Sequence, residues 1–129
     1  MLPTYLKNLI QKNDPDITKI DLNNLGLNDT HAIELYNLLS KNNYITYLDL
    51  SYNNLSVQTC ELLAKMSNIK ILNLSQNNIG NEGLIKFSDN YNTTNLKKLI
   101  LYNNDITIQC MDSLKKLCHQ GIKINIIKS

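Results

Sequence analysis

Four stretches of the 129-residue chain repeat one pattern of aliphatic and polar positions: ITKIDLNNLGL (17–27), ITYLDLSYNNL (45–55), IKILNLSQNNI (69–79) and LKKLILYNNDI (96–106). Each places an aliphatic residue at positions 1, 4, 6 and 11, and successive starts are 28, 24 and 27 residues apart. Alternation at positions 4 and 6 is the signature of a short strand with one buried face. Met in isolation, LDLSYNNLS (48–56) reads as half of a hairpin, or as a glycosylation acceptor at Asn54. The fourfold recurrence replaces the hairpin with a repeat unit.

The residues after position 11 switch to helical spacing. Five residues on stand Ala32, Cys60, Leu84 and Met111; eight residues on stand Leu35, Leu63, Phe87 and Leu114. With Leu38/Leu39, Met66 and Leu117 they form one apolar helix face. Asp29 or Thr30, Ser56, Asn81 and Thr107 stand where N-caps belong. Each repeat therefore predicts a strand, a turn and a returning helix. A single unit cannot cover its apolar side, whereas stacked units share a continuous core. Position 9 is Asn in three repeats (Asn53, Asn77, Asn104), where a buried amide can bond the backbone of its own and a neighbouring turn. The first repeat has Leu25 there, expected to pack against the N-terminal segment.

The ends need separate treatment, because a solenoid must shield its terminal units. Leu2, Leu6, Leu9 and Ile10 share one helix face, predicting a cap helix over 3–12 with Pro3 in its first turn. Asn13 to Asp16 is the turn into the first strand, so residues 1–16 form the N-terminal cap. Gly121 stops the last helix, and Ile122, Ile124 and Ile126 predict a closing strand over 122–127. That strand is a bare edge guarded by Lys123 and Lys128, a weak dimer contact, or a junction with a longer protein. The whole is expected to be one domain, 1–129, with repeats starting near 17, 45, 69 and 96.

The eleven-residue motif resembles the signature of the leucine-rich repeat family, L-x-x-L-x-L-x-x-N/C-x-L, and the resemblance runs from about Ile17 to Ile126. The long period and the helical connections are similar to the ribonuclease-inhibitor-like subclass. The resemblance implies a right-handed α/β horseshoe, with parallel strands on the concave face and helices on the convex face. It also implies non-enzymatic protein–protein interaction. The phrase NDPDITKIDLNN (13–24) further resembles the start of the leucine-rich domain in the tropomodulin family, whose members bind the end of actin filaments.

Composition narrows the function classes. Net charge is only +2, and the 13 basic residues are all Lys, without the Arg forks that grip phosphate and guanine, so no nucleic-acid partner is expected. No apolar run reaches the length of a membrane span, and the N-terminus lacks a signal-peptide pattern. Cys60, Cys110 and Cys118 follow no zinc spacing and fall in helical apolar patterns, which predicts buried reduced thiols and a cytoplasmic location. The abundance of Asn, Ile and Lys points to an A+T-rich genome. It is compatible with an effector or regulatory protein of an intracellular bacterium or protist, including one delivered into a host cell. It also makes chance glycosylation sequons common, at Asn28, Asn54, Asn73 and Asn92. His31 and His119 are isolated on separate helices, and no Gly-rich phosphate loop is present, so neither a catalytic site nor a cofactor is expected.

The remaining candidate surface is the open strand face, where positions 3, 5, 7 and 8 are expected to point away from the core. Its partner-binding candidates are Lys19, Asp21, Tyr47, Asp49, Tyr52, Ile71, Asn73, Gln76, Lys98, Ile100 and Tyr102. Tyr and Ile among short polar residues match the composition of protein interfaces. The reading is a protein partner held on the concave face. The alternatives are a tropomodulin-like actin-binding module and a targeting domain of a larger enzyme.

Overall fold

Each predicted strand forms, and each is short. A computed structural model describes residues 1–127 and places β1 at Lys19–Asp21, β2 at Tyr47–Asp49, β3 at Ile71–Asn73, β4 at Lys98–Ile100 and β5 at Lys123–Asn125. They pair side by side in chain order, all parallel. Between them run α2 (Asp29–Leu39), α3 (Val57–Ala64), α4 (Gly80–Asn90) and α5 (Met111–His119), with α1 (Thr4–Gln11) before the first strand. Parallel neighbours need a crossover, and a helix supplies it in every repeat.

Register stacks the aliphatic positions into columns. Position 4 gives Ile20, Leu48, Leu72 and Leu99, paired strand to strand and continued by Ile124 of β5. Position 6 gives Leu22, Leu50, Leu74 and Leu101, all buried, and position 11 gives Leu27, Leu55 and Ile79, with Ile106 partly buried. Leu35, Leu63 and Phe87 close the core from the helices. Each fully buried Leu or Ile contributes roughly 1.5–3 kcal/mol. The close approach of α3 and α4 depends on Gly83, since a Cβ there would lie 2.7 Å from Ile79 Cγ2 and 3.1 Å from Cys60 Sγ.

Several local expectations are corrected. Met111 is exposed, and Cys110 is buried in its place. The cause is a 3-10 turn, Ile108–Cys110, ahead of α5, whose tighter winding brings Cys110 to the core side. Leu25 is also exposed and does not pack against the N-terminal segment. Cys118 lies on the exposed side of α5, unlike the buried Cys60 and Cys110. The closing strand is shorter than 122–127, being Lys123–Asn125, and Lys128 lies outside the described residues. Gly121 does stop α5: at φ +88 it lets its own N–H reach Cys118 O at 3.0 Å and the Ile122 N–H reach Leu117 O at 3.3 Å.

Candidate functional site

The register that stacks the core also lays out the opposite face. Position 3 forms a row of Lys19, Tyr47, Ile71, Lys98 and Lys123, and position 5 a row of Asp21, Asp49, Asn73, Ile100 and Asn125. Lys19 and Asp21 are exposed, while Tyr47, Asp49, Ile71, Asn73, Lys98 and Ile100 are half-buried by their neighbours. Lys19 Nζ sits 4.3 Å from the centroid of the Tyr47 ring, a cation–π contact. Tyr52 is exposed beyond the strand ends, with Gln76 and Tyr102 half-buried nearby in the motif.

Position 5 carries a structural duty that its exposure hides. Asp21 Oδ1 accepts from Asn23 N at 3.1 Å and from Asn23 Nδ2 at 2.5 Å. Asp49 Oδ1 accepts from Ser51 N at 2.9 Å and Ser51 Oγ at 2.6 Å; Asn73 Oδ1 accepts from Ser75 N at 3.0 Å and Ser75 Oγ at 2.8 Å. Each is an Asx turn that bends the chain out of the strand. Ser51 and Ser75 are consequently buried, not solvent-facing as position 7 was expected to be. The fourth repeat abandons this pattern, having Ile100 at position 5 and Tyr102 at position 7.

Position 8 is left-handed in every repeat: Asn24 (φ 55), Tyr52 (φ 56), Gln76 (φ 58) and Asn103 (φ 59). That geometry turns the next side chain inward. Asn53 Nδ2 donates to Leu22 O and Leu50 O, both at 3.0 Å, and its Oδ1 accepts from Leu27 N at 2.9 Å. Asn77 repeats this with Leu50 O, Leu74 O and Leu55 N, and Asn104 with Leu74 O, Leu101 O and Ile79 N. Every such amide bonds its own repeat and the one before it. In the first repeat the position is Leu25, which is exposed and whose side chain forms no such bonds, counter to its expected place against the N-terminal segment.

These repeats match known proteins in two comparisons. A family model described as "Leucine Rich repeat" fits residues 41–64 and 65–88. A solved structure titled "Leiomodin-1 Actin-Binding Site 2 (ABS2)" superposes over 99% of this chain and 82% of that one, with a TM-score of 0.81 at 19% sequence identity. The fold is a leucine-rich-repeat solenoid. No curated protein sequence matches the chain.

Two further devices tie the solenoid together and escaped the sequence reading. Asp29, in α2, caps the following repeat: Oδ1 accepts from Ser56 N at 2.9 Å and from the Thr59 hydroxyl, and Oδ2 from Ser56 Oγ at 2.5 Å. Asn81 does the same two repeats later, accepting from Thr107 N at 2.8 Å and donating to Thr107 Oγ1 at 2.7 Å. Neither residue caps its own helix. For α2 that role falls to Asn28, which accepts from Thr30 N and His31 N while His31 Nδ1 accepts from Asn28 N. Ser56 occupies the cap position of α3 but spends its hydroxyl on Asp29. Thr107 alone acts as expected, accepting from Gln109 N. The signal available in the sequence was that Asp29 and Asn81 both stand two residues beyond position 11. The second device is a row of asparagines before the strands. Asn42 donates to Ile10 O at 2.9 Å, Asn68 to Asn42 O at 2.7 Å, and Asn95 to Ser67 O.

The polar groups of the solenoid are thus largely committed to structure. Burial, reinforced by the charge of Asp29, pushes the Cys60 thiol up to about 12, with Lys86 partly opposing; burial also raises Cys110. Thiols so disfavoured as thiolates are poor nucleophiles. His119 is exposed on α5, far along the chain from His31 in the α2 cap. No group of three or more His, Cys, Asp or Glu among the described residues could hold a metal ion. No helix among them is long and apolar enough to cross a membrane. A depression lies where α2 and α3 end, lined by Tyr36, Leu39, Met66 and Ile69, with Lys65 beside it.

Proposed function

We propose that this chain is a non-enzymatic protein-recognition module that holds its partner on the concave strand face. The observation that carries this reading is the fourth repeat. Where the first three put Asp or Asn at position 5 to hold a turn, it presents Ile100 and, just past the strand end, Tyr102. Ile100 is on the strand next to that of Ile71, whose own register partner on the far side is Tyr47. Half-exposed apolar residues grouped across strands are the usual mark of a contact surface. The helix in every repeat and the 28- and 27-residue spacings support placement in the ribonuclease-inhibitor-like subclass, from which the 24-residue second repeat departs. A cytoplasmic location, and a role as an effector or regulatory protein, belong to the same proposal.

A second reading has its own support. The leiomodin-1 structure is titled an actin-binding site, and nearly the whole chain superposes on it. Residues 13–24 independently resemble the start of the tropomodulin leucine-rich domain. Co-pelleting with actin filaments discriminates: the chain sediments with filaments if the cytoskeletal reading holds, and stays in the supernatant if it does not. The general reading is tested with Tyr47→Ala/Tyr102→Ala against wild type in affinity purification with mass spectrometry. The expected result is a specific protein retained by wild type and lost by the variant at an unchanged melting temperature. Equal capture by both would remove the concave face as the binding surface.

A further inference from the structure

We infer that the C-terminal half of the concave face, across β3 to β5, selects an acidic protein segment anchored by an apolar side chain. This rests on the concave-face reading above and gives the partner its chemistry. Charge is divided unevenly along the solenoid. Residues 1–64 hold four lysines against seven acidic residues, and residues 65–129 hold nine lysines against four. The basic excess is not spread evenly around that half. Lys70 and Lys97 stand at the entry to β3 and β4, and Lys98 and Lys123 are register partners on β4 and β5. Consecutive backbone bonds join them: Lys97 N and Lys98 N donate to Lys70 O at 2.8 and 3.0 Å, and Lys123 N donates to Lys97 O at 2.9 Å.

No carboxylate stands on β3, β4 or β5, and among the described residues none of these four lysines forms an ion pair. Like charges on adjacent strands repel, so Lys98 opposite Lys123 costs the free protein stability and gains it back when an anion docks, while Lys97 turns its ammonium to Thr94 O at 3.3 Å. Beside the lysines lies the apolar anchor site. Ile71 and Ile100 sit on adjacent strands, two residues apart in register. Arg is absent, and beside Ile71 and Ile100 this half of the face offers the single ring of Tyr102, where a strand of bases needs several stacking faces, so the chemistry favours carboxylates on a peptide over nucleic-acid phosphate. The backbone groups of β3 and β4 are already paired on both sides, so recognition there passes through side chains.

A phage-displayed library of random peptides, selected on the full chain, tests the inference. Enriched peptides should carry several Asp or Glu around one large apolar residue. Their affinity should fall about tenfold on Lys98→Glu/Lys123→Glu and fall with rising salt. Reselection on that charge-reversed variant should return Lys- and Arg-rich peptides instead. Peptides without an acidic bias that are nevertheless lost on Ile100→Asp would overturn the inference and leave concave-face recognition standing. Peptides indifferent to every concave-face substitution would overturn both. A labelled oligouridine that binds more tightly than the selected peptides would replace the acidic segment with a nucleic acid. Circular dichroism melts of each variant, matching wild type, separate lost binding from lost folding.

Discussion

At the scale of single residues, position 8 and position 9 pull in opposite directions. Position 9 is set by backbone need. Asn77 is buried and satisfies Leu50 O, Leu74 O, Ser75 O and Leu55 N at once. Asn77→Ala leaves those groups unpaired in a core that water does not reach. The expected loss is on the order of 1–3 kcal/mol in urea unfolding, and a loss of a few tenths would mean water replaces the amide. Position 8 is set by something else. A left-handed backbone costs an ordinary residue roughly 1–2 kcal/mol, and Asn tolerates it best after Gly. Asn24 and Asn103 fit that need; the exposed Tyr52, at φ 56, does not. Tyr52→Asn should therefore stabilise the protein by about 1 kcal/mol, raising the melting temperature by roughly 4 °C. A lower melting temperature would show that packing of the ring outweighs the backbone cost. A stabilising substitution that also weakens partner capture is the pattern expected where a site residue is kept at the expense of stability.

Between elements, the informative contact is the cap that one helix lends to the next. Burial pushes the Asp29 carboxyl up, but the Ser56 hydroxyl, the Thr59 hydroxyl and the Ser56 N–H together outweigh it and hold its pKa below the ordinary 3.8. A carboxyl depressed in the folded state stabilises that state above its unfolded pKa, and the contribution is lost as pH falls through the folded value. Asp29→Asn should cost on the order of 1 kcal/mol near pH 7. The gap from wild type should close as pH falls below the ordinary carboxyl range and through the lower folded value. A pH-independent gap in parallel urea titrations would assign the cost to packing, not charge. The same contact explains what the sequence hid. Strand positions 4, 6 and 11 were legible because burial alone selects aliphatic residues there. Caps were misassigned at Asp29 and Asn81 because a polar residue near a helix start can serve its own helix or its neighbour's, and only stacking decides. Ser51 and Ser75 were misread likewise, since a hydroxyl expected to face solvent is covered once it donates a hydrogen bond to Asp49 or Asn73. Met111 failed for a different reason: a 3-10 turn shifts helical phase without leaving a composition signal.

Across the whole molecule, the two ends of the solenoid are finished differently. At the N-terminus α1 buries Leu2, Leu6 and Ile10, and polar bonds lock it on: Leu2 N to Glu34 Oε1 at 2.6 Å, Asn43 N to Asn13 Oδ1 at 2.8 Å, and Asn42 Nδ2 to Ile10 O. At the other end Ile122 is buried, but Ile124 and Ile126 are only partly covered, and Ile108, Met111 and Ile127 are exposed. The outer edge of β5 has no strand partner among the described residues. In a stack where each repeat is stabilised by its neighbours, a repeat with one neighbour is the first to open. Amide hydrogen exchange should therefore be slowest in β2 and β3 and fastest in β5 and α5. Pairing of two copies through this edge would add a concentration dependence. Two copies can pair their β5 strands antiparallel about Ile124, which sets Lys123 opposite Asn125 and brings no like charges together. Raising protein concentration should then slow exchange in β5 and increase the mass measured by light scattering, and Ile124→Lys should abolish both changes. Exchange in β5 that is fast at every concentration would exclude pairing between copies.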